Sequence, residues 1–153
     1  MLGRLGVSKP DVADVCQEVF LIVHRRLPDY DEDRATLRAW IYGICVRAAA
    51  DYRKRAYRRH ERVGAPALEL VVSPEQHRAL ELRRARARLQ AVLASLDDGK
   101  REVFVLYELE ELPMSEVARI VDCPLQTAYS RLHAARKTVA AAFAERQVSG
   151  GSS

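Results

Sequence analysis

An all-α fold of two small helical domains is predicted by three features of the sequence. Apolar residues recur at three- and four-residue spacing through nearly every segment, strand-like alternation is absent, and Gly and Pro fall mostly between the periodic segments. The chain has 153 residues, 48% hydrophobic and 30% charged, so it is globular and can bury one core or two small ones.

Lys9-Pro10-Asp11 opens the first clear helix, and Val12, Val15, Cys16, Val19, Ile22, Val23 and Leu27 follow its inward period. Asp11, Asp14, Gln17, Glu18 and Leu21 take the other side, with acids in the first turn where the helix dipole favours them. Pro28 ends it. Asp29 to Asp33 resembles the start of a calcium loop. The match fails because Arg34 stands at the sixth position, where the turn needs Gly, and Trp40 at the twelfth, where a bidentate Glu is needed. It reads as a solvated acidic loop, with Asp33 or Thr36 capping the next helix.

That helix spans about Leu37 to Arg59. Its inward stripe is Leu37, Trp40, Ile41, Ile44, Cys45, Ala48 and Tyr52, after which it turns basic with Arg53, Lys54, Arg55, Arg58 and Arg59. Trp40, Tyr42, Tyr52 and Tyr57 are interleaved with these cations. Cations for phosphates and rings for bases are what a single-stranded or melted nucleic acid needs.

Residues 61–73 have Gly, Pro and no clear period and form the expected linker. Ser73, Pro74 and Gln76 make a capping box for a helix with Leu82, Ala85, Leu89, Val92, Leu93 and Leu96 inward. Asp97-Asp98-Gly99 turns the chain. Lys100 to Glu111 is expected as a helix burying Val103, Leu106 and Tyr107 and exposing Glu108, Glu110 and Glu111.

Leu112 to Lys137 then has helix-turn-helix logic. Met114 to Val121 buries Val117, Ala118 and Val121; Asp122-Cys123-Pro124 breaks it; and a second helix buries Leu125, Ala128 and Leu132. Asp tolerates a left-handed backbone better than most residues, and Pro fits the first turn of a new helix. The second helix can run on through Val139 to Phe143. The expected organisation is therefore 1–60, a 61–73 linker, 74–145, and a disordered Gly/Ser tail at 146–153.

The net charge of +4 is less telling than its distribution. Arg47, Arg53, Lys54, Arg55, Arg58, Arg59 and Arg62 stand against only Asp51 and Glu61, whereas acids dominate from Asp97 to Asp122. One face suits a polyanion and another a basic partner. Cys16, Cys45 and Cys123 are far apart and next to apolar residues, which fits small buried hydrophobes in a reducing compartment. Met1 to Val7 is too short and polar for a signal peptide, and no apolar run approaches a membrane span, so a cytoplasmic protein is expected. There is no Gly-rich phosphate loop, no H-E-x-x-H and no nucleophile elbow, and His24, His60, His77 and His133 are dispersed. No enzyme, cofactor or metal is expected.

Three blocks together resemble one family. Asp11 to Phe20 (DVADVCQEVF) is similar to the D-x-x-D-h-x-Q-E-h-F signature of region 2 in bacterial extracytoplasmic-function (ECF) sigma factors. Leu37 to Ile44 (LRAWIYGI) resembles their L-R-x-W-L-Y-x-I block, and Leu112 to Lys137 is similar to their region 4. The likeness runs from about Val7 to Ala142. It implies an RNA polymerase sigma factor that directs core polymerase to promoters and initiates transcription. In that family the signature helix docks on the clamp coiled coil of the largest polymerase subunit, which implies Asp14, Gln17, Glu18 and Leu21 here. The following helix captures the melted −10 strand, implying Arg47, Asp51, Tyr52, Arg53 and Lys54. Region 4 reads the −35 duplex, implying Thr127, Tyr129, Ser130, Arg131, His133, Arg136 and Lys137, with Arg131 the first choice for a bidentate guanine contact or phosphate clamp. Promoter DNA, core polymerase and an anti-sigma factor are the implied partners.

The departures are a shortened N-terminus, with only Met1 to Lys9 before the signature, and three substitutions. Arg47 stands where many members carry a smaller polar residue, and Tyr129 and Ala134 stand where members are often basic. The alternatives are a helix-turn-helix regulator that binds duplex DNA without polymerase, and a truncated sigma-like chain that titrates an anti-sigma factor.

Overall fold

Six α-helices and no strand make up residues 1–60 and 77–149, which are those the computed structural model describes. The capping box at Ser73 to Gln76 and the expected linker lie outside the described residues. Short 3-10 turns at Leu2–Leu5 and Lys9–Asp11 lead into α1 (Val12–Arg26), whose dipole is complemented by Asp14 in the first turn and His24, Arg25 and Arg26 in the last. Val15 and Val19 are buried and Val12, Cys16, Ile22 and Val23 half-buried, as their period requires. Leu27, expected inward, is 50% exposed because the helix has already passed into a 3-10 turn at Leu27–Asp29.

α2 (Leu37–His60) is capped by Thr36, whose hydroxyl oxygen accepts from the Ala39 N–H at 3.2 Å. Asp33 instead belongs to the preceding turn, its N–H donating to the Asp31 carboxylate. Thr36→Ala should lower stability by about 1 kcal/mol, read as a shifted urea midpoint with unchanged slope. The expected stripe holds for Ile44, Cys45 and Ala48, while Leu37 at the first turn is exposed. Burial pushes the Cys45 thiol up.

A second stripe on α2, absent from the sequence reading, runs through Ala39, Tyr42, Val46, Ala49 and Arg53 at alternating i+3 and i+4. Ala39, Val46 and Ala49 are as buried as the first stripe. Their small side chains let the N-terminal turn and α5 approach α2 from behind. The two expected helical clusters consequently share one apolar core, continuous from Leu2, Leu5 and Val7 through α1 and α2 to Leu93, Val103, Leu106, Val117 and Leu132.

α3 (His77–Ser95) is anchored only at its C-terminal end. Leu93 and Leu96 are buried, whereas Leu82 and Ala85, expected inward, are exposed. No neighbouring element reaches the N-terminal half of its apolar stripe among the described residues. α4 (Asp98–Phe104) starts two residues earlier than expected, capped by Asp97, whose carboxylate accepts from the Lys100 N–H at 2.9 Å and is held below its ordinary range chiefly by Lys100. The next turn, Val105–Leu109, widens to the π type. The Glu110 N–H donates to the Val105 carbonyl and the Leu112 N–H to that of Leu106, and Glu111 takes a positive φ of 56° to end the helix. Glu110, expected exposed, is turned inward by this widening and its side chain is only 13% exposed.

Arg101 is the one buried charge among the described residues, at 7% exposure. Its guanidinium donates to the carbonyls of Leu93, Ala94 and Leu96, the orphan acceptors at the end of α3, and to Asp98. α5 (Met114–Ile120) and α6 (Leu125–Ser149) complete the chain. α6 continues four residues into the segment expected as disordered tail.

Candidate nucleic-acid interface

α1 and α2 pack against each other, with Val15, Val19, Ile44 and Cys45 in the shared core. The opening between the two helices is a groove of about 610 Å³, within the size range of about 300–1,000 Å³ typical of small-ligand sites. Ile22, Ile44 and Ala48 form its apolar floor. Arg47, Lys54 and Arg58 from α2 and Arg26 from α1 rim it, with Glu18 and Asp51. Arg55 is paired with Glu18 at 3.1 Å. Arg26, Arg47, Lys54 and Arg58 have no ion-pair partner among the described residues. An apolar floor below unpaired cations can hold the flat face of a base with its phosphates at the rim.

The structure divides the residues implied for the −10 strand between two faces. Arg47, Asp51 and Lys54 line the groove. Tyr52 turns away, its hydroxyl 2.6 Å from the Asp11 carboxylate and 2.8 Å from Ser8 Oγ; the hydrogen bonds that Asp11 accepts from Tyr52 and from Ser8 hold its carboxyl below its ordinary range. Arg53 also turns away, donating to the Leu5 carbonyl and, at 2.7 Å, to Glu102 of α4.

On the outer side of α1, Asp14, Gln17, Glu18 and Leu21 are exposed and contiguous at i, i+3, i+4, i+7. Phe20 stands beside them at 69% exposure, more exposed than Leu21 at 51%. The sequence reading missed Phe20. Its place outside the 3.6-residue inward period was the available signal.

The helix-turn-helix is formed by α5 and the start of α6. Asp122 between them adopts φ 52°, the left-handed conformation its side chain tolerates. Val117, Ala118, Ala128 and Leu132 are buried where the helices meet, while Leu125, expected inward, is 49% exposed at the first turn of α6. Tyr129, Ser130, His133 and Lys137 are exposed on the outer face of α6 and Thr127 is half-buried. The Ser130 hydroxyl donates to the Gln126 carbonyl at 3.0 Å. Arg131 is half-buried, its guanidinium 3.1–3.3 Å from where a Cβ on Gly99 would lie. Arg136 is paired with Glu108 and lies 5.7 Å from the Tyr107 ring centre. Of the implied cations on this helix, Lys137 alone has neither an ion pair nor a packing partner of this kind among the described residues.

A helix-turn-helix beside a helical pair with a cationic groove defines a helical nucleic-acid-binding protein. Family models agree and narrow the class: residues 1–59 match Sigma-70 region 2 and residues 86–139 match Sigma-70 region 4. The ECF RNA polymerase sigma-E factor of Escherichia coli K12 is 32% identical over 144 residues, covering 87% of this chain and 74% of that protein. The RNA polymerase sigma factor CnrH of Cupriavidus metallidurans is 32% identical over 146 residues, covering 89% and 75%. A solved structure of CnrH in complex with the cytosolic domain of CnrY superposes with a TM-score of 0.65 at 26% identity, covering 99% of this chain and 79% of that one. The sigma factor RpoE of Bartonella quintana, solved in complex with the anti-sigma factor NepR, has the same fold, with a TM-score of 0.71 at 18% identity over 93% and 86%. The chain belongs to the ECF sigma factors, which direct core RNA polymerase to specific promoters and initiate transcription. No helix among the described residues is long and apolar enough to cross a membrane.

Proposed function

We propose that this sigma factor works through three surfaces carried on two units, 1–60 and 74–145. The α1–α2 groove takes the melted −10 strand, with Arg47, Lys54 and Arg58 on phosphates, Asp51 at a base edge, and Ile44 and Ala48 beneath a base. Tyr52 and Arg53, which face away from the groove, serve the strand by positioning α2. The outer face of α1, with Asp14, Gln17, Glu18 and Leu21 and extended by Phe20, docks on the clamp coiled coil of core polymerase. The exposed face of α6 enters the major groove of the −35 duplex. There Thr127, Tyr129, Ser130 and His133 meet base edges, and Arg131, Arg136 and Lys137 clamp phosphates or a guanine. An anti-sigma factor is the proposed inhibitor, by analogy with the partners of the two superposed sigma factors. The reading places the chain in the cytoplasm with polymerase, and as a transcription factor without an active site of its own.

The observation that carries this reading is the row of cations without ion-pair partners among the described residues, along a groove whose other wall continues into the exposed face of α1. Strand capture and polymerase docking are thus adjacent, as melting a promoter at the polymerase surface requires. The test is run-off transcription with core enzyme on the promoter upstream of the protein's own gene, with permanganate probing for strand opening. A specific transcript with an opened −10 region is expected. Duplex footprints without opening would instead identify a polymerase-independent regulator.

A further inference from the structure

Gly99 is the second residue of α4, and its backbone has no positive φ to call for glycine. Glycine is a poor helix former, so the reason for it here is room rather than backbone. The three atoms nearest to a Cβ built on Gly99 are Cζ, Nε and Nη1 of Arg131, at 3.1, 3.2 and 3.3 Å. Nearly equal distances to three atoms of one plane mean that the guanidinium lies flat across Gly99. A methyl there would press on it at less than ordinary carbon contact, about 3.5–4.0 Å.

Arg131 stands at the edge of the buried stripe of α6. Ala128 lies three residues before it, Leu132 beside it and Ala135 four after it, all buried. Helical geometry puts it roughly a third of a turn from the exposed row of Ser130, His133 and Lys137. Arg136 flanks that row on its other side, 5.7 Å from the Tyr107 ring centre and paired with Glu108. The Asp97 carboxylate is held low chiefly by Lys100, and the Arg131 charge adds to this through space. Arg131 has no hydrogen-bond acceptor or ion-pair partner among the described residues.

We infer that Gly99 is a positioning residue for promoter binding. It seats the Arg131 guanidinium on the flank of α6, where that group clamps a backbone phosphate and does not read a guanine. The inference rests on the −35 role proposed for α6. A base-reading arginine projects from the row that faces the groove floor, whereas phosphates line the groove walls beside the helix. A guanidinium already fixed by packing also loses less rotamer freedom when it binds an anion. Arg136 must first leave Glu108, so Arg131 is the clamp already set.

The test uses holoenzyme reconstituted from the full chain and core polymerase. Affinity is measured across a range of salt on a labelled duplex carrying the promoter upstream of the protein's own gene. A second duplex differs only in a shuffled −35 half. Gly99→Leu, which evicts the guanidinium, should weaken binding about tenfold on both duplexes, the low end for a lost charge-assisted hydrogen bond. The log–log salt slope should fall by about 0.9, the value for one duplex phosphate. Arg131→Ala should do the same, and the double variant should be no weaker than Arg131→Ala alone. Gly99→Ala shifts the guanidinium by only a few tenths of an ångström and should weaken binding about threefold. Wild-type affinity for Gly99→Leu beside a weak Arg131→Ala would overturn the seat and leave the −35 reading standing. A Gly99→Leu loss that persists in full in the Arg131→Ala background would be structural and would also overturn it. An Arg131→Ala loss confined to the unshuffled duplex would make Arg131 a base reader. No effect of Arg131→Ala on either duplex would overturn its −35 role, and the positioning with it.

Discussion

Arg101→Met is expected to lower stability by about 3 kcal/mol, an effect of the size seen when a buried charge network is broken. The guanidinium satisfies the carbonyls of Leu93, Ala94 and Leu96 at once, so its loss leaves the end of α3 with orphan acceptors. It also removes a positive charge from the negative end of the helix dipole, and leaves Asp98 facing Arg53 alone. Among the described residues α3 is otherwise secured only near its C-terminal end, through Leu89, Leu93 and the following Leu96. Lys at this position should recover only part of the loss, since one ammonium cannot span three carbonyls as a planar fork does. Thermal melts should show Met lower by roughly 6–12 °C, with Lys between Met and wild type. A shift under about 2 °C for Met would refute the role given to Arg101.

The double variant Lys54→Glu, Arg58→Glu should reduce promoter opening and run-off transcription by more than about 100-fold while leaving −35 duplex binding intact. Each lost charge-assisted phosphate contact is worth about 1.5–3 kcal/mol, and the new carboxylates repel the strand besides. Both positions are exposed and without ion-pair partners among the described residues, so folding should be unaffected. With the milder Lys54→Ala, Arg58→Ala pair, the log–log salt dependence of single-strand binding should fall by about 1.4, at about 0.7 per phosphate contact. If duplex binding by α6 falls equally, the division of labour between groove and helix-turn-helix is wrong.

Periodicity was a sound guide wherever an element met one neighbour. The inward sets of α1 and of the helix-turn-helix appear as expected apart from Leu27 and Leu125, both at helix ends where a terminal turn lets the side chain reach solvent. The left-handed backbone at Asp122 was legible because few residue types tolerate it. Periodicity misled at α3, where Leu82 and Ala85 keep an apolar stripe with nothing packed on it among the described residues. It was incomplete at α2, where a stripe of Ala, Tyr, Val, Ala and Arg has too little hydrophobic weight to stand out beside Trp40, Ile41 and Ile44.

The site divides in the same way. Arg47, Asp51, Lys54 and Arg58 share one helical stripe at i+4, i+3, i+4 and do line one groove, whereas the family resemblance grouped Tyr52 and Arg53 with them although these lie on other faces of the helix. Arg26, which rims that groove from α1, becomes visible only once α1 and α2 are set side by side.

By itself, the sequence determined the helices, their order, the turn chemistry and the family, because caps, breakers and a 3.6-residue period act over a few residues of chain. Only the tertiary structure decided which cations are engaged: among the described residues Lys54 and Arg58 are exposed without an ion-pair partner, Arg53 is held by Glu102, and Arg101 is buried against the end of α3. Charge is written in the sequence, but its availability depends on partners such as Glu102, 49 residues away from Arg53, and on the desolvation that raises the Glu102 carboxyl and lowers the Arg101 guanidinium. Those are long-range terms that no local pattern encodes.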